Sequence, residues 1–257
     1  APGAPNVNTS LAAIMARKGQ RDRAMKLLLQ ALTLDSGRAR PQDRSAAFVV
    51  RARIHQAENR KEDAIADLRS AARAFPGNLE ALNMLSDEQF KAGRYDAALE
   101  VFRTLENTGA RSAETAIKIG QCYAKMGRNK RAIDHLIDAT NKFPESAALQ
   151  LELGDVHLSK QDYELARSAY QAALKVDPIY DPAHLKLGEL LVKEAKVDEA
   201  LSYFESSLKK NPKGALMHYG LANLKKQIAS TSGEVTILGE AESAYRSALK
   251  LNPGLVN

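Results

Sequence analysis

Cysteine occurs once in the 257 residues, as Cys122, and tryptophan does not occur at all. One cysteine closes no internal disulfide and builds no cysteine-rich metal site, and it fits a cytoplasmic or a periplasmic (envelope) compartment equally. No run of about 18 apolar residues is present, so the sequence holds no membrane span. A strong charge of one sign is also missing. Against 31 acidic side chains stand 37 basic ones, a net charge of +6. That balance permits nucleic-acid binding without implying it. Catalytic fingerprints are absent as well: there is no G-x-S-x-G, H-E-x-x-H, P-loop or G-x-G-x-x-G. The five histidines are dispersed, and no two sit three or four residues apart, as a helical metal pair requires. The sequence therefore points to no enzyme, no metal and no cofactor. The chain starts Ala-Pro-Gly-Ala-Pro, without an initiating Met or a signal peptide, which reads as a processed end or the edge of a longer protein.

Good helix formers dominate: Ala, Leu, Lys, Arg and Glu. They are arranged with a period. Pro144, Pro178 and Pro212 are spaced 34 apart, as are Gly120, Gly154 and Gly188. Ala64, Ala98, Ala132, Ala166 and Ala200 keep the same spacing. A bulky residue follows each by four: Leu68, Phe102, Leu136, Tyr170 and Phe204. Segments such as 181–193 repeat apolar groups every three or four residues, the stripe of a helix. Polar breaks follow, with Gly19, Gly93 and Gly127 where a helix would end in a left-handed residue. A second helix then brings the small Ala to a close helix–helix approach, and Pro ends the unit. One such pair cannot bury both of its faces, so the units must stack.

These residues resemble the tetratricopeptide repeat pattern of aromatic, Leu-Gly, Tyr, then Ala, aromatic, Ala and Pro at fixed offsets. Seven units are read, at 5–38, 45–78, 79–112, 113–146, 147–180, 181–214 and 215–257. The resemblance covers essentially the whole chain and implies an all-α, right-handed α-solenoid, a single domain over 1–257. Departures are local. Ser36 replaces the first Pro, and six extra residues follow in GRARPQDRS. Unit two has Arg51-Ala52 in place of Leu-Gly, and unit three has Leu85-Ser86. An insert near 228–236 reads as a loop or a helix extension, and a tolerated surface loop is preferred to a binding element there. His55 and His157 fall in the Tyr slot, and His184 and His218 in the first aromatic slot, so all four read as core or half-core substitutes. Cys122 reads as a buried structural thiol.

The resemblance also implies a function: a non-enzymatic scaffold that holds a protein or peptide segment in the concave groove lined by the first helices. Carried onto this sequence, the groove positions include Asn83, Asp87, Phe90, Ile117, Gln121, Leu151, Asp155, Leu158, Leu185, Glu189, Val192, Tyr219 and Asn223. Ile117, Leu151, Leu158, Leu185, Val192 and Tyr219 would form an apolar stripe flanked by Asp155 and Glu189. Such a trough suits an amphipathic helix or extended peptide with some basic residues. No unit pairs Lys at the fifth offset with Asn at the ninth, which argues against clamp-type recognition of chaperone tails. The basic excess sits in residues 1–78, with 14 basic and 7 acidic groups. Arg17, Arg38, Arg40, Arg44 and Arg53 form a candidate basic patch for an anionic polymer or a membrane surface. This carries the alternative reading, an adaptor in bacterial envelope assembly or secretion. The shortage of stacking aromatics there disfavours nucleic acid. After Leu251 only NPGLVN remains, too short for a capping helix. The last repeat would then need further chain, a partner or a second copy against its open face.

Overall fold

A computed structural model describes residues 5–33 and 40–256. The described residues are all helical: fourteen α-helices and one short 3-10 turn, with no strand among them. They gather into two compact units, Ala1–Gly127 and Arg128–Asn257.

The first unit holds α1 (Pro5–Arg17), α2 (Arg21–Thr33), α3 (Pro41–Ala57), α4 (Lys61–Ala74), α5 (Leu79–Lys91), α6 (Tyr95–Asn107) and α7 (Ala113–Lys125). From α2 to α7 each helix packs on the one before it, and α3 also packs on α1 and α5. The second unit holds α8 (Asn129–Lys142), α9 (Ala147–Ser159), α10 (Tyr163–Val176), α11 (Asp181–Lys193), α12 (Val197–Lys210), α13 (Ala215–Ser232) and α14 (Val235–Leu251). Here too successive helices pack, α11 lies on α13, and the turn Pro253–Val256 lies on α14.

The periodic alanines are the points of closest approach: Ala24, Ala64, Ala98, Ala132, Ala166, Ala200 and Ala241 are all buried. The bulky residue one turn on is buried in every pair but the last, where Tyr245 stays half-buried. A side chain of the second helix then faces a glycine of a first helix. A Cβ on Gly154 would collide with the Tyr170 ring, and one on Gly188 with Phe204. Phe204 meets a second glycine, since a Cβ on Gly220 would fall 2.6 Å from its ring. Glycine is required at these places for space.

Helix starts are secured by side chains. Asn78, Ser112 and Ser146 accept hydrogen bonds from the amides of Ala81, Thr115 and Leu149, satisfying donors that a helix leaves open. The start of α13 is capped from another repeat: the Asp181 carboxylate accepts from Leu216 N at 2.7 Å and Met217 N at 3.1 Å. The first helix of each pair ends on one left-handed residue. Gly19, Gly93 and Gly127 adopt φ of 77°, 72° and 70°. Asn59, Gln161 and Ala195 occupy the same 34-residue series with φ of 58°, 64° and 61°, a conformation that costs a residue with a Cβ.

One point that the sequence left open is resolved. The segment 228–236 is a helix extension: α13 runs to Ser232, Gly233 ends it at φ 74°, and α14 begins at Val235. Burial of Ala229 and packing of Ile228 against the Phe204 cluster explain why the added residues stay helical. After α14 the described residues form only the 3-10 turn Pro253–Val256, and Leu255 lines a small cavity with Tyr219 and Tyr245. The inter-repeat insert lies partly outside the described residues, and Arg38 with it.

Candidate functional site

In the second unit the sequence-derived groove positions fall on α9, α11 and α13. Leu151, Asp155, Leu158, Leu185, Glu189, Val192 and Tyr219 are each half-buried, and Asn223 is exposed. The apolar ones are anchored. Leu151 and Leu158 pack on the Tyr170 cluster, and Leu185 and Val192 on the Phe204 cluster. The stripe is therefore one edge of the core left partly open, and none of its members ranks among the strongly exposed apolar side chains.

Three of these positions converge. Glu189, Val192 and Asn223 line a cavity of about 380 Å³ between α11 and α13. Phe204 and Gly220 contribute to it, and Lys193, Leu224 and Gln227 complete the lining. The missing side chain of Gly220 lets the Phe204 ring reach the cavity wall. Tyr245 donates a hydrogen bond to Asn223 Oδ1 at 2.6 Å and stands edge-on to Tyr219, with centroids 6.1 Å apart.

The acidic character read from sequence is offset. Lys186 Nζ lies 3.9 Å from Asp155 and 3.3 Å from Glu189, so one cation serves both carboxylates. Asp155 also accepts a hydrogen bond from the Tyr170 hydroxyl at 2.7 Å. Burial pushes the Asp155 carboxyl above its ordinary range, against the Tyr170 hydrogen bond and the Lys186 charge. Burial and the same carboxylate hold the Tyr170 phenol protonated, far above its usual range. Lys186 escaped the sequence reading because it occupies none of the groove offsets carried over.

In the first unit, Asn83 and Asp87 line a polar cavity of about 460 Å³ with Arg111, Glu114 and Lys118 among its walls. Phe90 packs edge-on against Tyr95, and Lys118 lies 5.0 Å from the Phe90 ring centroid. Ile117 and Gln121 are half-buried on α7. The basic residues divide. Arg17 and Arg53 line one cavity together with Arg21. Arg40 instead pairs with Asp43 at 2.9 Å, and Arg44 lies in a separate cleft with Phe48 and Arg73.

The histidines and the cysteine are built into the packing. His55 and His157 are buried. His184 meets Tyr203 Oη at 2.8 Å and Pro178 O at 3.1 Å, and His218 repeats the second contact with Pro212 O at 3.1 Å. Cys122 is buried, which pushes its thiol up to about 11, so it carries little of the thiolate that reactivity needs. No group of His, Cys, Asp or Glu among the described residues is placed to hold a metal ion, and no described helix is long and apolar enough to cross a membrane.

Helical hairpins of 34 residues with these packing slots define the class of α-helical repeat proteins. Models of the tetratricopeptide repeat match residues 49–113, 117–182 and 157–224, and the chain belongs to that family. Anaphase-promoting complex subunit 7 of Arabidopsis thaliana is 29% identical over 189 residues, covering 72% of this chain and 31% of that protein. Tetratricopeptide repeat protein 21B of Mus musculus is 27% identical over 185 residues, covering 70% and 14%. The chain thus spans less than a third of the length of these curated relatives. Among solved structures, a thermophilic TPR protein of Thermus thermophilus shares 23% identity with a TM-score of 0.52, over 70% of this chain and 98% of that one. Pseudomonas aeruginosa pilF shares 18% with a TM-score of 0.54, over 81% and 92%. Both have the same fold, and the repeats fit a protein-interaction scaffold.

Proposed function

We propose that this chain is a non-enzymatic scaffold module that grips a peptide or helix of a partner protein on the first helices of its second unit. The observation that carries this reading is the convergence of Glu189, Val192 and Asn223 on the 380 Å³ cavity between α11 and α13. Its size lies within the about 300–1,000 Å³ of pockets that accept a compact group. An apolar side chain of the partner would enter against Val192 and Phe204. Asn223 and Gln227 offer amides for a peptide backbone. Lys186, Glu189 and Lys193 present both charge signs along one edge, so orientation would follow alternating charge in the partner rather than a simply basic one.

The test is selection of phage-displayed 12-residue peptides on the purified chain, with Leu185→Glu/Asn223→Ala as the counter-target and circular dichroism verifying both folds. Peptides enriched on the parent and lost on the variant support the groove. Equal enrichment on both, or none on either, overturns it.

A further inference from the structure

A second cavity lies in the first unit, of about 220 Å³, and no groove position of the second unit takes part in it. Its walls are apolar: Ala13 and Ala16 from α1, and Val50, Ile54 and Ala57 from α3. Arg17, Arg21 and Arg53 stand around it, all exposed. Arg53 is paired with Glu80 on α5. Among the described residues, Arg17 and Arg21 meet no carboxylate. Two cations with no carboxylate partner among the described residues, beside an apolar hollow, are complementary to an anionic group attached to an apolar one. The volume is below the about 300–1,000 Å³ of small-molecule pockets, so it suits one side chain rather than a whole ligand.

We propose that this cavity is an anchor site for an acidic peptide segment of a partner protein. One Leu- or Phe-sized side chain of that segment fills the space between α1 and α3. Its flanking carboxylates pair with Arg17 and Arg21, and a further one competes with Glu80 for Arg53. Charge alone would hold any polyanion, whereas the hollow adds selection for an apolar residue at one position. Guanidinium forks suit carboxylates because they bind both oxygens.

The probe is a fluorescein-labelled, end-capped peptide with one central Phe flanked by two Glu on each side in a Gly/Ser frame, titrated by fluorescence anisotropy with the whole chain. Saturable binding is expected, weakened about tenfold or more by Arg17→Glu/Arg21→Glu. Replacing the central Phe by Gly in the peptide should weaken it similarly, as should Ala57→Phe, which plugs the cavity from an exposed position. Shifts of the Ala16 and Ala57 amide resonances during titration locate the site without any variant. Absence of saturation overturns the proposal. So does equal binding of the Gly peptide, or a heparin fragment that binds more tightly and ignores Ala57→Phe. Either of those results marks a general polyanion surface. Leu185→Glu, in the other unit, should leave this binding unchanged, so failure of either site is read separately.

Discussion

Arg51 clasps the buried carboxylate of Asp67 with two hydrogen bonds, Nε at 2.8 Å and Nη2 at 2.5 Å. The guanidinium also lies 5.3 Å from the Phe48 ring centroid. Arg51 stands where the repeat pattern has Leu, and the pair explains that departure: a buried Asp on α4 requires a cation on α3. Removing one partner of a buried pair leaves the other charge uncompensated. Arg51 keeps some solvent contact and His55 Nε2 stays 3.5 Å from Asp67, so Arg51→Leu should cost about 2 kcal/mol, less than the about 3–5 kcal/mol of a fully buried pair. Arg51→Leu/Asp67→Leu should recover most of that loss. Urea unfolding of the two single variants and the double variant measures it, and simple additivity of the single losses would contradict this account.

Ala195 is the least suited of the left-handed residues, having neither the freedom of glycine nor a side chain that bonds its own backbone. Ala195→Gly should raise stability by about 1 kcal/mol, the relief of left-handed strain less the entropy glycine brings to the unfolded chain. Thermal unfolding should show a higher midpoint. A lower one would mean that the turn is not strained.

Arg167 Nη2 lies 2.5 Å from both oxygens of Glu194, which ends the following helix α11. Burial pushes the Glu194 carboxyl up, but hydrogen bonds from Lys196 and Arg167 outweigh it and hold the group below its ordinary range. A depressed carboxylate stabilises the folded state above its unfolded pKa, and this contribution fades as pH falls through the folded value. Arg167→Ala should therefore cost about 1 kcal/mol at neutral pH. The gap from the parent should narrow as pH drops below the ordinary carboxylate range. Denaturant midpoints across that range test it, and a gap constant with pH would reject the assignment.

The helical hairpins were legible because their slots recur. Ala at the close approach, a large side chain one turn later and Pro at the exit leave a signal every 34 residues. The features that depart from the repeat left none. Asn59, Gln161 and Ala195 carry no glycine to announce a left-handed turn, although their spacing from Gly93 and Gly127 could have done so. Asp67 and Arg51 sit 16 residues apart on facing helices, a separation fixed only by tertiary packing. Helical periodicity also cannot tell an added loop from added turns, so the segment 228–236 could be read either way. At the candidate site, sequence offsets located Glu189, Val192 and Asn223. They missed Lys186, whose position between two carboxylates depends on the path of its flexible stem.

The Phe204 ring meets Gly188 on α11 and Gly220 on α13, and it also lines the cavity between those helices. One side chain is thus both the spacer between neighbouring repeats and part of the surface a guest would touch. A larger or smaller group there would shift the walls along with the contact surface. In the proposed groove, affinity and repeat geometry would therefore change together, and adaptation to a new guest would proceed through the rim, at Glu189, Lys193, Asn223 and Gln227.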